Sequence, residues 1–184
     1  MKPFIQIRTL YCSDLSICVW VLCLFVFSQG CSPDKKDRPS PFRSDSTLMG
    51  NTSLKVEFSS PRVRKRKIWG DLVEYGKMWR TGANEATAFS TSKLLNVDTF
   101  QLDSGKYAIF TIPGKEEWEV IFNKEWDQWG SYHHNDSLDV IRMKVIPKSF
   151  TDLQENMELF FENDSLKFRW EKIGWGIPLH TAAD

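Results

Sequence analysis

The polar side chains with the clearest capacity to bind a ligand lie together in residues 79–87 (WRTGANEAT). The alternation of apolar and polar residues stops here, and Gly82 with Asn84 indicates a loop with special backbone angles. Arg80 could bind a carboxylate or a phosphate through two parallel hydrogen bonds, while Asn84 and Glu85 orient the ligand. The two charges could instead neutralise each other and fix a long loop over the domain. We favour this second interpretation, an internal Arg80–Glu85 ion pair.

Two tryptophans, Trp126 and Trp129, lie in a second loop (WDQWG) that follows an alternating stretch at 118–123. Exposed tryptophan rings stack on sugars, and neighbouring Asp and Gln side chains bind hydroxyl groups. The opposing interpretation is that one or both rings fold back and close the end of the core. The two loops together predict a ligand site for a glycan or a small polar molecule, formed by Trp79, Arg80, Asn84, Glu85, Trp126 and Trp129.

Residues 133–136 (HHND), with Asp139 nearby, are the remaining candidates for chemistry because they could ligate a metal ion. Adjacent residues of a strand point to opposite faces, so the two histidines are poorly placed to share one ion. The sequence also lacks HExxH, a G-x-S-x-G turn, a phosphate-binding loop and a dinucleotide fingerprint. We therefore predict no metal and no cofactor. The catalytic alternative is an envelope hydrolase that uses Glu85 with an aspartate or a histidine.

The first 30 residues predict a secretory signal peptide. Lys2 and Arg8 precede an apolar run at 17–27 (ICVWVLCLFVF), which is shorter than the roughly 20 residues that a helix needs to cross a bilayer. Gly30 stands before Cys31, the arrangement in which a bacterial lipoprotein cysteine is acylated. Lipidated Cys31 would place the protein on the bacterial cell envelope, bound to the membrane. Ordinary cleavage after Gly30 would instead give a secreted or periplasmic soluble protein.

Residues 31–50 predict a disordered tether after the lipidated cysteine, because Pro33, Pro39 and Pro41 stand among charged and hydroxyl side chains with few apolar residues. Residues 51–184 then predict one folded domain. Its cysteine-free sequence allows no disulfide, so a hydrophobic core must stabilise it.

Period-two patterns dominate this domain and predict strands. Leu54, Val56 and Phe58 alternate with polar residues, and similar patterns recur at 118–123 and 140–146, while 107–112 is a continuous apolar run typical of a central strand. The clearest hairpin joins 157–161 to 166–170 through Asn-Asp. The expected fold is all-β: a single antiparallel β-sandwich, jelly-roll-like, with long loops.

Seven segments of this domain form a specific pattern, and they are Ser60–Val63, Arg66–Val73, Trp79–Thr87, Gly105–Pro113, Trp118–Lys124, Trp129–Tyr132 and Asp139–Arg142. In this order they resemble a family of uncharacterised bacterial secreted and lipid-anchored proteins, the domain of unknown function twenty-nine eleven. The resemblance implies an all-β secreted domain without an established activity. This chain departs from the family at Trp69, usually Phe, and at His133-His134, where an Asp-Tyr type pair is usual.

The charge balance argues against a nucleic-acid partner, since 24 basic residues face 24 acidic ones. Five basic residues at 62–67 are interpreted as a solvated loop. The expected partners are the membrane, through the lipid anchor, and a glycan or small polar ligand; the oligomeric state stays open. We expect a non-catalytic binding or accessory module. A structural lipoprotein that docks on an envelope protein is a further alternative, which an exposed apolar patch would support.

Overall fold

The computed structural model describes residues 34, 35 and 37–181. The predicted signal peptide and Cys31 lie outside these residues. Within the described part, we find no helix with both the length and the apolar character needed to cross a membrane.

Strands account for nearly all of the regular structure in the described part. They are β1 (Phe42–Met49), β2 (Thr52–Ser59), β3 (Thr87–Thr91), β4 (Leu95–Val97), β5 (Phe100–Leu102), β6 (Gly105–Ile112), β7 (Trp118–Asn123), β8 (Asp139–Val145), β9 (Lys148–Phe161) and β10 (Ser165–Thr181). A short 3₁₀ helix, Asp136–Leu138, precedes β8.

These strands form two antiparallel sheets. The larger sheet has six strands in the order β1-β2-β3-β6-β7-β8, and the smaller has four in the order β5-β4-β10-β9. The predicted all-β antiparallel sandwich is therefore confirmed.

The main core lies between the two sheets and contains most of the large aromatic residues. On β2, Leu54 and Val56 are fully buried while the alternate side chains face outward. From β10, Trp170 stacks on Trp79 with ring centroids 5.7 Å apart, and Trp69 meets Trp118 edge-on at 4.8 Å. Full burial of one large apolar side chain stabilises the fold by about 1.5–3 kcal/mol. Most of the tryptophans thus serve the core.

A second, smaller apolar cluster lies on the outer face of the larger sheet. Phe110 on β6 and Ile121 on β7 are fully buried there, although their sequence neighbours Ile109 and Val120 belong to the main core. Successive side chains of a strand point to opposite faces, so this cluster occupies the face turned away from the smaller sheet. Met78, from the loop between β2 and β3, packs against it. The cluster supports the loops that carry the predicted ligand site.

The boundary predicted for the tether is wrong, because residues 42–49 form a strand. β1 pairs with β2 along its whole length, from Phe42 opposite Ser59 to Met49 opposite Thr52. An edge strand needs few apolar side chains, since its backbone hydrogen bonds come from one neighbour and much of its surface faces water. The polar composition that indicated a tether is also that of an edge strand.

The predicted β9–β10 hairpin is confirmed, but both strands are longer than the sequence indicated. Their register shifts between Arg169 and Glu171 and again between Glu171 and Ile173, and Glu171 has a positive φ of 56°. Such bulges bend a strand and strengthen its twist. The two strands consequently curve, and the outer face of the smaller sheet becomes concave.

Candidate functional site

The two loops of the predicted ligand site lie side by side, as residues 79–87 and 126–132, which we call the loop cluster. The Ala86 N–H donates to the Gln128 carbonyl at 3.0 Å, and the Gly130 N–H donates to the Asn84 carbonyl at 3.1 Å. These bonds create a β-bridge between Glu85 and Trp129. Two loops far apart in sequence are thereby fixed in one place on the outer face of the larger sheet.

Trp79 does not contribute a binding surface, because its ring is in the main core. It is 9% exposed, and its indole N–H donates to the Gly82 carbonyl at 2.9 Å. Its backbone exchanges two hydrogen bonds with Thr111, which extends β6 pairing beyond the end of β3. Trp79 therefore anchors the loop rather than contacting a ligand.

Asn84 and Glu85 are bound by residues 35 and 37–41, which we call the N-terminal strap. The Glu85 carboxylate pairs with Arg38 at 2.7 Å and with Lys35 at 3.4 Å. The Asn84 side chain donates to the Ser40 carbonyl at 3.2 Å. Asn84 also adopts a left-handed φ of 59°, which asparagine tolerates better than most residues. Both side chains thus hold the strap onto the loop.

The environment of Glu85 alters its acidity. Burial alone raises the pKa of this carboxyl group, but the hydrogen bond from Arg38, a backbone N–H and the charge of Lys35 outweigh burial and lower the pKa below 4.5. Glu85 is therefore a stabilised carboxylate. This environment is unfavourable for the proton-transfer role that the hydrolase alternative gave it.

The expected Arg80–Glu85 ion pair is absent. Among the described residues, Arg80 makes no salt bridge, and its Nε is buried without a hydrogen-bond partner. Burial lowers the pKa of the Arg80 guanidinium, and the nearby Tyr132 opposes this shift. The prediction of the pair is wrong because Arg38, in the segment interpreted as a tether, occupies the carboxylate instead.

Trp126 and Trp129 are both on the surface, as a ligand contact requires. Trp129 is 57% exposed and Trp126 is 39% exposed. Lys106 lies over the Trp126 ring, 4.1 Å from its centroid, so one face of that ring is occupied. Tyr132, which the sequence analysis did not single out, is 80% exposed. Trp129 and Tyr132 are the more accessible aromatic surfaces of the loop cluster.

The histidine–aspartate segment forms an internal ion-pair network. His134 Nε2 lies 2.8 Å from Asp139 Oδ1, and its Nδ1 lies 3.2 Å from Asp136 Oδ1. Arg142 contacts both carboxylates at 2.8 Å, and Asn123 donates to Asp139 at 2.7 Å. His134, Asp136 and Asp139 each offer one atom that could ligate a metal ion, and these three atoms lie within 4.8 Å of one another. Because a guanidinium already neutralises the two carboxylates, the geometry indicates a structural network that fixes the loop before β8.

A second candidate site, which we call the groove, was not predicted from the sequence. It is an open cavity of about 660 Å³ on the concave outer face of β9 and β10. Volumes of about 300–1,000 Å³ are typical of ligand sites. Gly174 lies in its floor, where an added Cβ would stand 2.6 Å from the Phe168 carbonyl oxygen. Glycine at this position lets the two halves of β10 line the same cavity.

The side chains of the groove combine aromatic rings with balanced charge. Arg169 lies over the Phe150 ring, 3.4 Å from its centroid, and pairs with Asp152 at 2.9 Å. Phe160 adds a second half-buried ring. Three carboxylates face three cations across the lining: Asp152, Glu158, Glu162, Lys148, Lys167 and Arg169. This lining offers ring faces and both kinds of hydrogen-bonding group.

Comparisons with known proteins add one assignment. A model of the family described as "protein of unknown function (DUF2911)" matches residues 40–179, more than half of the chain. The chain belongs to the DUF2911 family. The match begins two residues before β1, in agreement with the strand that replaces the predicted tether. No curated protein and no solved structure gives a significant match to this DUF2911 chain.

Proposed function

We propose that this DUF2911 domain is a non-catalytic binding module of the bacterial cell envelope and that the groove binds its ligand, a glycan or a small polar molecule. The lining of the groove carries the proposal: two aromatic rings lie among three carboxylates and three cations in a cavity of about 660 Å³. Aromatic faces that stack on sugar rings, with charged and amide groups that bind hydroxyls, are the elements of a sugar site. Balanced charge favours a neutral ligand over a polyanion or a polycation.

The envelope location rests on the N-terminal sequence, in which Gly30-Cys31 follows an apolar run. Acylation of Cys31 would hold the domain at the membrane, since each buried CH₂ of an acyl chain contributes about 0.8 kcal/mol. Cys31→Ala is expected to move the protein from the membrane fraction to the soluble fraction.

A second candidate, a hydrolase, is favoured by one observation: Asp152, Glu158 and Glu162 all line one cavity. Pairs of carboxylates flank the scissile bond in most glycosidases. Against this, the Asp152 side chain is 74% exposed and paired with Arg169, and Glu158 pairs with Arg43 at 3.7 Å. A catalytic acid usually needs an apolar, enclosed setting. The open setting and the pairing of two of the three carboxylates therefore favour binding over catalysis.

A glycan array probed with the purified full-length protein tests the proposal. Binding to neutral oligosaccharides is expected, and Phe160→Ala with Arg169→Ala should each weaken it by about tenfold or more, because each removes a stacking or charge-assisted contact. Trp129→Ala, in the loop cluster, is the matched aromatic control and should leave this binding unchanged. Loss of binding in the control alone would assign the ligand to the loop cluster. Release of reducing sugar that Asp152→Asn abolishes would identify the hydrolase.

A further inference from the structure

Arg80 faces the outer surface of the larger sheet. Trp79 is bridged to Thr111 and points into the main core, so its neighbours Met78 and Arg80 point to the opposite side. Met78 packs there against the Phe110 cluster. The Ser131 hydroxyl donates to the Met78 carbonyl at 3.4 Å, which places the second loop beside the same stretch.

Within the described part of the chain, the guanidinium in this position lacks a counter-charge. Its Nε is buried with no acceptor, and none of the described carboxylates forms a salt bridge with it. The closest candidate in sequence, Glu85, is engaged by Arg38, Lys35 and the Ser59 hydroxyl, which lies at 3.3 Å. A partly buried cation without a partner is unfavourable, and proteins usually pair such groups with an anion.

A second buried polar atom without a partner lies on the facing loop. The Gln128 side-chain amide donates to the Glu125 carbonyl at 2.7 Å, but its Oε1 is buried without a donor. The Arg80 carbonyl accepts from the Thr87 N–H, and the Gln128 carbonyl accepts from the adjacent Ala86 N–H. The backbones of both residues are therefore fixed to neighbouring positions of one segment. Because Gln128 Oε1 is closed to solvent, the half-buried Arg80 is the unpaired group that a ligand could contact here.

Two exposed aromatic residues lie in the same loop cluster as Arg80. Tyr132 lies near enough to the guanidinium to affect its pKa, and this residue is 80% exposed. Trp129 is 57% exposed and is bridged to Glu85 in the same loop cluster. Both rings are exposed in the loop cluster, and Tyr132 is the one that lies near the guanidinium.

We propose that Arg80, Trp129 and Tyr132 form a second binding site, independent of the groove, for an acidic sugar whose carboxylate binds the Arg80 guanidinium. Because Nε is closed to solvent, the two terminal nitrogens of the guanidinium present the parallel donors that match the two oxygens of a carboxylate. The sugar ring stacks on an aromatic face.

Isothermal titration calorimetry of the purified full-length protein, with sodium glucuronate as the probe and glucose as its neutral match, tests this site at constant ionic strength. Glucuronate is expected to bind at least tenfold more tightly than glucose. Arg80→Gln should weaken glucuronate binding by about 10- to 100-fold, the range expected for one charge-assisted hydrogen-bonded pair. Arg80→Lys keeps the charge but not the paired donors, so its affinity for glucuronate should lie between those of the wild type and Arg80→Gln.

Matched controls separate this site from general electrostatics and from the groove. Arg62→Gln removes an exposed arginine outside the loop cluster, and Phe160→Ala alters the groove; both should leave glucuronate binding unchanged. Equal losses in Arg62→Gln and Arg80→Gln, or equal affinity for glucose and glucuronate, would overturn the proposal. So would inorganic phosphate binding at Arg80 while glucuronate does not bind. If circular dichroism shows that Arg80→Gln does not fold, the Arg80→Lys variant and the comparison of glucuronate with glucose still test the proposal.

Discussion

The loop cluster and the groove lie on the outer faces of different sheets and are built in different ways. In the loop cluster, segments of a few residues each are fixed by backbone hydrogen bonds and by the N-terminal strap. In the groove, side chains from two long strands converge because bulges near Glu171 bend the hairpin. The first site depends on local contacts, whereas the second depends on the curvature of a sheet.

The two sites also differ in how their charges are satisfied. Charges in the groove balance within its own lining, as Arg169 and Asp152 show. In the loop cluster, the strap supplies the cations for Glu85, and Arg80 is left over. This difference is the basis of the two proposals, a neutral ligand for the groove and an anionic one for the loop cluster.

Removing the core anchor of the loop cluster should have the largest effect. Trp79→Ala is expected to destabilise the domain by about 3–5 kcal/mol, because it leaves a large cavity among Trp69, Phe168 and Trp170. Urea denaturation measures the change. Trp129→Ala is the matched control and should stay within about 0.5 kcal/mol of the wild type. Similar losses in both would show that the exposed loop contributes to the core.

A substitution in the floor of the groove should have the next largest effect. Gly174→Ala is expected to cost about 1–3 kcal/mol, since its Cβ would stand 2.6 Å from a backbone oxygen and 2.7 Å from Arg169 Cδ. Gly176→Ala is the control, because its Cβ would meet only the flexible Lys167 side chain, at 3.0 Å. Thermal melts compare the two. An unchanged melting temperature in Gly174→Ala would mean that the curvature of β10 adjusts readily.

Acid should weaken the loop cluster through Glu85. The folded-state pKa of Glu85 lies below its ordinary value of 4.5, so its stabilising contribution is complete above that pH and is lost as the pH falls through the lowered pKa. Urea denaturation at decreasing pH should show a smaller loss for Glu85→Gln than for the wild type. The Glu57 carboxyl, also with a lowered pKa, remains as an internal reference in both proteins. If the free energy of unfolding fell equally with pH in both proteins, Glu85 would not be the source of the acid sensitivity.

The smallest effect is expected at Arg80. Arg80→Gln should change the free energy of unfolding by no more than about 0.5 kcal/mol, because no internal ion pair is lost. A double-mutant cycle with Glu85→Gln should give no coupling, whereas Arg38 and Glu85 should couple by about 1 kcal/mol. Strong Arg80–Glu85 coupling would restore the structural interpretation and remove the anion site.

Local sequence patterns predicted the sandwich, the β9–β10 hairpin and the meeting of loops that carry polar and aromatic residues. The sandwich could be predicted from alternation such as that of Leu54, Val56 and Phe58, because a strand with one buried face has an apolar residue at every second position. The DUF2911 resemblance, now confirmed, came from the same loops. What these signals share is that they reside in a few neighbouring residues.

Such local patterns could not predict which residue pairs with Glu85, and they could not predict the groove. From the sequence alone, Arg38 and Arg80 are both arginines that could pair with Glu85. The path of the strap brings Arg38 to the Glu85 carboxylate. The outward residues of the hairpin, such as Asp152, Phe160 and Arg169, were visible as an alternating polar face. Their convergence depends on bulges, which shift register without a clear residue signature.

The strap has a mechanical consequence. It precedes β1, and β1 begins with the Phe42–Ser59 pair. A pull on the chain ahead of the strap would first load the Arg38–Glu85 and Ser40–Asn84 contacts and then peel β1 from β2 one pair at a time. Peeling breaks hydrogen bonds in sequence rather than all at once, so tension on this end would reach the loop cluster before it disturbed the sandwich core.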